Sequence, residues 1–169
     1  MNKSINSRVI ESAKDRFHYD PEEGKFYRLR GRRASRRIAE EITSSNHGYI
    51  VLSFLSTKYM AHRVAWGMVH GELDESVYID HIDGDKTNNK ISNLRVATKQ
   101  QNGWNVGLAK QNTSGIKGVH FDSYSNMWRA SCQQTKLGRF KTKEEAAEAV
   151  KSYRERVHGP FANHGEEAA

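Results

Sequence analysis

Two short β-prone segments enclose a polar loop and lead directly into a helix start, and this order constrains the middle of the chain more than any other feature. Val77 to Ile79 is β-prone, and Leu94 to Ala97 is a second such segment. The loop of residues 80–93 contains three Asp, three Asn and one Gly. Thr98 is suited to cap a helix that begins at Lys99. The sequence therefore predicts strand, loop, strand and helix in close succession.

The same segment groups a carboxylate, a histidine and several asparagines. Asp80 and His81 are adjacent, and asparagines follow in the loop and on the predicted helix. A hard cation such as Mg²⁺ takes oxygen ligands from Asp and Asn, and a neutral imidazole can accept a proton from water at neutral pH. The grouping therefore suits metal-dependent cleavage of a phosphodiester.

The segment from Asp80 to Asn105 resembles the site of the HNH nucleases, most closely the phage group-I-intron type, in which a two-stranded ribbon and a helix close around one divalent ion. The resemblance implies that His81 is the general base and that Asn93 braces the loop. It also implies that Asp80 and Asn102 hold one Mg²⁺ or Mn²⁺ ion. The third residue of the signature is Asn here instead of His, which we interpret as a metal preference because an amide oxygen is a normal ligand for these ions.

The acidic loop has two other interpretations. Asp83 and Asp85 flank Gly84, and this pattern favours an ordinary turn over metal ligands. A calcium loop counted from Asp80 fails, because its twelfth position is Ile91, where an EF-hand needs a bidentate Glu. The next two asparagines in the loop are interpreted as turn residues, namely Asn88 and Asn89.

Two assignments stay open at the sequence level. Asn102 is the expected ligand on the predicted helix, but Gln101 or Asn105 takes its place if the register differs. The pair His62-Arg63 also occurs upstream of the site in the nucleases that the chain resembles. His62 is either a brace for the site, a DNA contact or a packed structural residue.

The charge of the chain agrees with a nucleic-acid partner. Its formal net charge is +7, its isoelectric point is near 9.5 and its mean hydropathy is −0.84, a combination typical of proteins attracted to polyanions. A run of arginines is expected to contact DNA phosphates: Arg28, Arg30, Arg32, Arg33, Arg36 and Arg37.

Composition also bounds the architecture. A chain of 169 residues with a low apolar fraction favours two small cores over one large core. The single Cys132 excludes internal disulfides and a four-cysteine zinc site. No apolar run is long enough for a signal peptide or a membrane span, so a cytoplasmic location is expected. No heptad pattern predicts a strong dimer, and no other protein partner is indicated, so we expect a monomer.

The N-terminal region has strand and helix patterns of its own. Phe17 to Tyr19 and Lys25 to Leu29 flank a turn and predict a hairpin, and residues 48–54 are β-rich. His62 to His70 predicts a short helix that stops at Gly71.

The C-terminal third predicts a second small unit. Trp128, Ala130 and Cys132 alternate with polar residues, so one face of a strand can pack while the other stays polar. Thr142 and Glu145 fit a capping box at the start of a helix. That helix is expected to present one apolar stripe, made of Ala146, Ala149, Val150, Tyr153 and Val157.

Several pieces of this region, in order, resemble the Apetala-type DNA-binding domain of ethylene-response factors: Thr113 to Val119, Met127 to Ala130, Leu137 to Phe140, Glu144 to Ala147 and His158 to Ala162. The resemblance implies a three-stranded sheet that lies in the major groove of DNA. By position it implies DNA contacts from Lys117, His120, Arg129 and Arg139, with Tyr124 as a further candidate.

Together these patterns predict an α+β fold, with a ββα-metal nuclease core, an N-terminal β-rich support and a small domain of a three-stranded sheet and a helix. The expected divisions are a nuclease domain with its support (1–105), a linker (106–112), an Apetala-type domain (113–163) and a tail (164–169). The expected function is a metal-dependent endonuclease, of the phage homing or free-standing type, that nicks one strand of double-stranded DNA. The alternative is a non-catalytic DNA-binding protein or regulator that keeps the fold.

Overall fold

The computed structural model describes residues 2–31 and 37–165. The chain divides into two compact units, Met1–Lys99 and Gln100–Ala169. Helices and strands are mixed in both, so the predicted α+β class is confirmed. The division falls within the region expected to be one nuclease domain, and the domain boundaries stay a prediction.

The described part of the first unit contains two helices and three small sheets. The sheets have the strand orders β1-β2-β3, β4-β5-β6 and β7-β8, with antiparallel neighbours. The elements are α1 (Ser7–Arg16), β1 (Phe17–Asp20), β2 (Lys25–Arg30), β3 (Arg37–Glu41), β4 (Ser45–Asn46), β5 (Tyr49–Phe54), β6 (Thr57–Met60), α2 (Ala61–His70), β7 (Tyr78–His81), a 3-10 turn (Ile91–Asn93) and β8 (Leu94–Ala97).

Local signals in the sequence explain several of these bounds. The predicted hairpin corresponds to β1 and β2, and α2 ends at Gly71, whose φ of 96° suits a residue without a Cβ. Strand β8 covers the predicted Leu94–Ala97. Helix α1 was not predicted, although the Asn6 side chain caps it by accepting a hydrogen bond from the Val9 amide at 3.1 Å.

The β1–β2 turn packs closely against the end of the polar loop. Gly24 has a φ of +73°, and a Cβ placed there would lie 2.3 Å from the Lys90 nitrogen. The Ile91 amide donates to the Pro21 carbonyl at 3.1 Å, and the Tyr19 hydroxyl donates to the Asn89 carbonyl at 2.7 Å. The N-terminal hairpin therefore supports the segment of residues 89–91 directly.

The core of the first unit is built from α1, α2 and the inner faces of the sheets. Its largest fully buried apolar side chains include Phe17, Phe26 and Leu52. A second cluster of buried apolar residues lies in the other unit, around Val119 and Val150. Two small cores are therefore present, as the composition predicted.

The second unit contains a three-stranded antiparallel sheet of order β11-β10-β9 and a long helix. Helix α3 precedes the sheet. The elements are α3 (Lys99–Trp104), β9 (Val119–Asp122), β10 (Met127–Cys132), β11 (Thr135–Phe140), α4 (Lys143–His158) and a 3-10 turn (Gly159–Phe161). Helix α3 begins at the predicted Lys99, and the predicted capping box of Thr142 and Glu145 opens α4.

The buried face of α4 differs from the predicted apolar stripe at its C-terminal end. Ala146 and Val150 are buried, but Val157 is 43% exposed. The buried series continues instead through Arg154 and His158, at the i, i+4 spacing of one helix face. Polar contacts with the segments beside α4 determine which residues are buried at this end of the helix, and a hydropathy pattern does not reveal such contacts.

Within residues 2–31 and 37–165, no helix is both long and apolar enough to cross a membrane. The cytoplasmic location stays a prediction.

Candidate functional site

His81 ends strand β7 and is only 4% exposed. Its Nε2 lies 3.2 Å from Oδ1 of Asn89. The Asn89 amide nitrogen is already committed, because Nδ2 donates to the Thr87 carbonyl at 3.0 Å. Its oxygen therefore faces the ring, and this hydrogen-bond pattern assigns the proton to Nε2 and the lone pair to Nδ1.

The surroundings of His81 favour its neutral form. Burial lowers the pKa of His81, while the hydrogen bond to Asn89 and the nearby carboxylates of Asp83 and Asp80 raise it by less. The resulting pKa lies below the ordinary histidine value. A neutral, oriented imidazole can accept a proton at pH 7.

Asp80 lies beside His81 on β7 and is 5% exposed. Its cross-strand partner on β8 is Arg95. The Arg95 Nε and Nη2 groups donate to Oδ2 of Asp80 at 2.9 and 2.8 Å, which holds the carboxylate in one orientation. Arg95 was not among the predicted site residues, although residues that face each other across a hairpin interact and the register would have identified it.

Asn93 ties the polar loop together. Its Nδ2 donates to Oδ1 of Asp83 at 2.9 Å and to the Asn88 carbonyl at 2.8 Å, and its Oδ1 accepts from the Asp83 amide at 3.1 Å. Asp83 also accepts from the Asn88 side chain at 2.6 Å and from the Asp85 amide at 2.8 Å. These contacts support the turn interpretation of Asp83. The loop-bracing role of Asn93 stays a prediction that this geometry favours.

An aromatic cluster lies behind the His81 ring. His62 meets it edge-on, with ring centroids 4.9 Å apart at 74°, and Tyr49 lies 5.3 Å from His62 and 6.0 Å from His81. Burial lowers the pKa of His62 to about 3, and its Nδ1 has no hydrogen-bond partner among the described residues. At 6% exposure, His62 fits a packed brace better than a DNA contact.

The predicted ligand Asn102 lies on α3, in the second unit, and is partly exposed. Asn105, one of its alternatives, follows the end of α3. Oδ1 of Asn105 accepts from Nδ2 of Asn163 at 2.9 Å. The Asn105 amide is thus engaged by the C-terminal segment, which favours Asn102 between these two.

The described part of the chain holds no group of three or more His, Cys, Asp or Glu side chains arranged to bind a metal ion. A zinc-type centre built from those residues is therefore absent from residues 2–31 and 37–165. The predicted ligand set of one carboxylate and one amide is of a different kind. Its oxygens match the preference of Mg²⁺ and Mn²⁺.

The predicted arginine run is only partly described. Arg28 and Arg30 both pair with Glu40, at 3.2 and 3.5 Å, and Arg37 is exposed at the start of β3. Such exposed ion pairs are weak, so these arginines can exchange a carboxylate for a phosphate at little cost. Three of the predicted contacts lie outside the described residues, namely Arg32, Arg33 and Arg36.

Three predicted DNA contacts form a row across the C-terminal sheet. In the strand register Arg129 is opposite His120 on one side and Arg139 on the other, and all three are exposed. Helix α4 covers the opposite face, where Ala130 and Cys132 are buried. Arg129 also pairs with Asp122, at 2.8 Å. We call this exposed surface the basic sheet face.

The fourth predicted contact, Lys117, has a different environment. Its ammonium donates to the carbonyls of Trp104 and Asn163, both at 3.1 Å, and to that of Val106. Burial lowers the pKa of Lys117 to about 8, with a further contribution from Arg154. A lysine has three donors, and here all three are directed at carbonyls, so the geometry argues against a DNA contact by Lys117.

Comparison with known proteins adds independent information. The family model described as HNH endonuclease matches residues 59–104. Protein 3.8 of Escherichia phage T7 is 36% identical over 104 residues, which are 60% of this chain and 86% of that protein. The uncharacterized HNH endonuclease L560 of Acanthamoeba polyphaga mimivirus is 36% identical over 120 residues, which are 68% of this chain and 61% of the relative.

No solved structure matches the chain. The family match covers both strands of the β7–β8 hairpin, the polar loop and α3, which are the elements that carry the predicted site. The chain therefore belongs to the HNH endonuclease family.

Proposed function

We propose that this protein is a metal-dependent DNA endonuclease that nicks one strand of double-stranded DNA, with His81 as the general base. The observation that carries the proposal is the buried His81 ring, whose Nε2 is held by Asn89 and whose pKa is lowered, so that a neutral base is ready at physiological pH. Membership of the HNH endonuclease family supports the same chemistry.

Asp80 and Asn102 would hold the Mg²⁺ or Mn²⁺ ion. Asp80 offers a carboxylate that Arg95 keeps oriented, and Asn102 offers an amide oxygen. Both are hard oxygen ligands of the kind that these cations prefer. When bound, the ion would stabilise the negative charge that develops on the scissile phosphate and on the leaving 3′ oxygen.

The side chains of the chain supply the proton transfer. Nδ1 of His81 takes a proton from a water molecule as the water oxygen bonds to phosphorus and the bond from phosphorus to the 3′ oxygen breaks. The products carry a 5′ phosphate and, once the leaving 3′ oxygen has taken a proton from solvent water, a 3′ hydroxyl. Asn89 keeps the ring in one tautomer throughout, and the carboxylates of Asp80 and Asp83 favour the imidazolium that forms.

DNA would be held by two basic regions. The exposed arginines between Arg28 and Arg37 would contact phosphates, which position the protein without reading sequence. The basic sheet face of His120, Arg129 and Arg139 would enter the major groove and contact base edges and the phosphates beside them. The resemblance of residues 113–163 to the Apetala-type domain supports this use of the sheet.

A supercoiled plasmid incubated with Mg²⁺ or with EDTA tests the proposal. We expect open circles with Mg²⁺ and none with EDTA. Protein that binds the plasmid but cuts nothing with Mg²⁺ or Mn²⁺ would instead be the non-catalytic DNA-binding alternative.

Strand-specific end labels on a linear duplex then test the nicking. One site of this composition directs one water at one phosphate, so label should appear in a product from one strand. Matched cuts on both strands, with a rate that rises as the square of protein concentration, would mean a dimer that breaks both strands.

A further inference from the structure

Helix α3 lacks the features that make a helix stable by itself. It has six residues and buries none of them. Isolated helices shorter than about 12 residues are marginal in water, and Gly103 inside α3 weakens it further. Its order must therefore come from contacts with other parts of the chain.

Lys117 supplies the first of these contacts. Its ammonium donates to the carbonyl of Trp104, the last residue of α3, and also to those of Val106 and Asn163. The last carbonyls of a helix have no partner within the helix and carry partial negative charge. A lysine ammonium satisfies such a group well.

Asn163 and His158 supply the others. Nδ2 of Asn163 donates to the carbonyl of Asn105 at 3.1 Å and to its side-chain oxygen at 2.9 Å. The His158 ring stacks on Trp104, with centroids 4.3 Å apart and planes 7° from parallel. Asn163 is itself fixed, because its Oδ1 accepts from the Gly165 amide at 2.8 Å.

We propose that Lys117, Asn163 and His158 form a clamp that fixes the end of α3, and that this clamp makes the C-terminal unit a positioning device for the metal ligand Asn102. The inference rests on the proposed function through the role of Asn102. The C-terminal unit then has two tasks: its basic sheet face binds DNA, and its other contacts keep the ligand helix ordered. The burial that lowers the pKa of Lys117 agrees with a residue committed to internal contacts.

Lys117→Met in the full chain tests the clamp, with Lys151→Met as the matched control. Both changes remove one positive charge from the same unit, but Lys151 is exposed on α4 and contacts no part of α3 among the described hydrogen bonds. Three quantities are measured: amide hydrogen exchange at residues 100–105, the Mg²⁺ concentration for half-maximal cleavage, and DNA affinity in EDTA.

If the clamp exists, Lys117→Met should speed amide hydrogen exchange at residues 100–105 by about tenfold or more. It should also raise the Mg²⁺ concentration for half-maximal cleavage by about 10- to 100-fold, the range found for residues that orient metal ligands. DNA affinity in EDTA should match that of Lys151→Met. Asn163→Ala should have the same effects in smaller degree. Its side chain is partly exposed, so it serves as the second variant if Lys117→Met unfolds.

Exchange and metal dependence equal to those of the control would overturn the clamp. So would a loss of DNA affinity with unchanged exchange, because Lys117 would then be a DNA contact. If the wild-type protein cuts no DNA, the proposed function fails, and the exchange data alone decide the clamp: faster exchange at residues 100–105 supports it and unchanged exchange refutes it.

Discussion

The polar loop and helix α3 carry the residues that the proposed function needs, and they are held in opposite ways. The loop is braced largely by its own side chains: Asn93 bonds to Asp83, and Asn89 bonds to His81 only eight positions away. Helix α3 is held at its end by residues 13 to 58 positions further along the chain. The proposed base is therefore held by residues close to it in sequence, whereas helix α3 is held by residues far along the chain in its own unit.

The largest effect that this comparison predicts is the loss of cleavage rate when the proposed general base, His81, is replaced. His81→Ala should slow single-turnover cleavage by about 10²- to 10⁴-fold, because a positioned general base contributes that much to the rate. Gel-shift affinity for DNA should not change. His18→Ala, which removes an exposed imidazole from the same unit, is the control. Cleavage within threefold of the wild-type rate would remove His81 from the mechanism.

A smaller reduction is predicted for the residue that orients the base. Asn89→Ala should reduce the single-turnover rate by about 10- to 100-fold at saturating DNA, with little change in KM, because the ring loses the partner of Nε2 and DNA binding is untouched. Asn46→Ala, at an exposed position of β4, is the control. Equal rates for the two variants would mean that the Asn89 hydrogen bond does not support catalysis.

The support that the β1–β2 hairpin gives to the loop can be broken at one glycine. Gly24→Ala would place a Cβ 2.3 Å from the Lys90 nitrogen. We expect it to lower the free energy of unfolding by about 2 kcal/mol more than Gly71→Ala. Gly71 also has a positive φ but has no atom within 4 Å of such a Cβ. Equal urea midpoints for the two variants would show that the close approach is not rigid.

The polar loop, the β7–β8 hairpin and helix α3 also show which features the sequence could predict. Strand β8 and the start of α3 at Lys99 follow from local signals, namely a β-prone run and a capping residue. Asn89 was interpreted as a turn residue, because its local sequence does not show that its side chain contacts His81 or that its backbone carbonyl accepts from Tyr19, 70 positions away. Arg95 was missed because its partner is set by strand register. Local patterns define the elements, but which side chains meet in the site, such as Asn89 with His81 and Arg95 with Asp80, is set only when the chain folds.

Acid should destabilise the first unit through His62. Its pKa is about 3 in the folded protein against 6.5 for an ordinary histidine, so below pH 6.5 the unfolded chain binds a proton that the folded protein excludes. The contribution of His62 to the free energy of unfolding should be constant above pH 6.5. Below that pH it should fall by up to about 1.4 kcal/mol for each pH unit. Urea unfolding of wild type and His62→Phe between pH 7.5 and 4.5 measures the difference. Parallel curves would contradict the burial of a neutral His62.

The smallest effect is expected on the basic sheet face. Arg139→Gln should reduce the slope of log affinity against log salt by about 0.9, because the variant makes one phosphate contact fewer. Arg8→Gln, an exposed arginine of α1, should leave the slope unchanged. A change of equal size in both variants would show only a response to net charge, and the sheet would lose its assigned role.

The most direct test of the proposed mechanism is the protonation pattern of the His81 ring in metal-free protein without DNA. Long-range ¹H–¹⁵N correlation spectra at pH 7.5 distinguish a proton on Nε2 from a proton on Nδ1 or on both nitrogens. We predict a neutral ring with the proton on Nε2, and a mixture of the two tautomers in Asn89→Ala. A wild-type ring protonated on Nδ1, or on both nitrogens, would contradict the claim that the loop prepares the base before metal and DNA arrive.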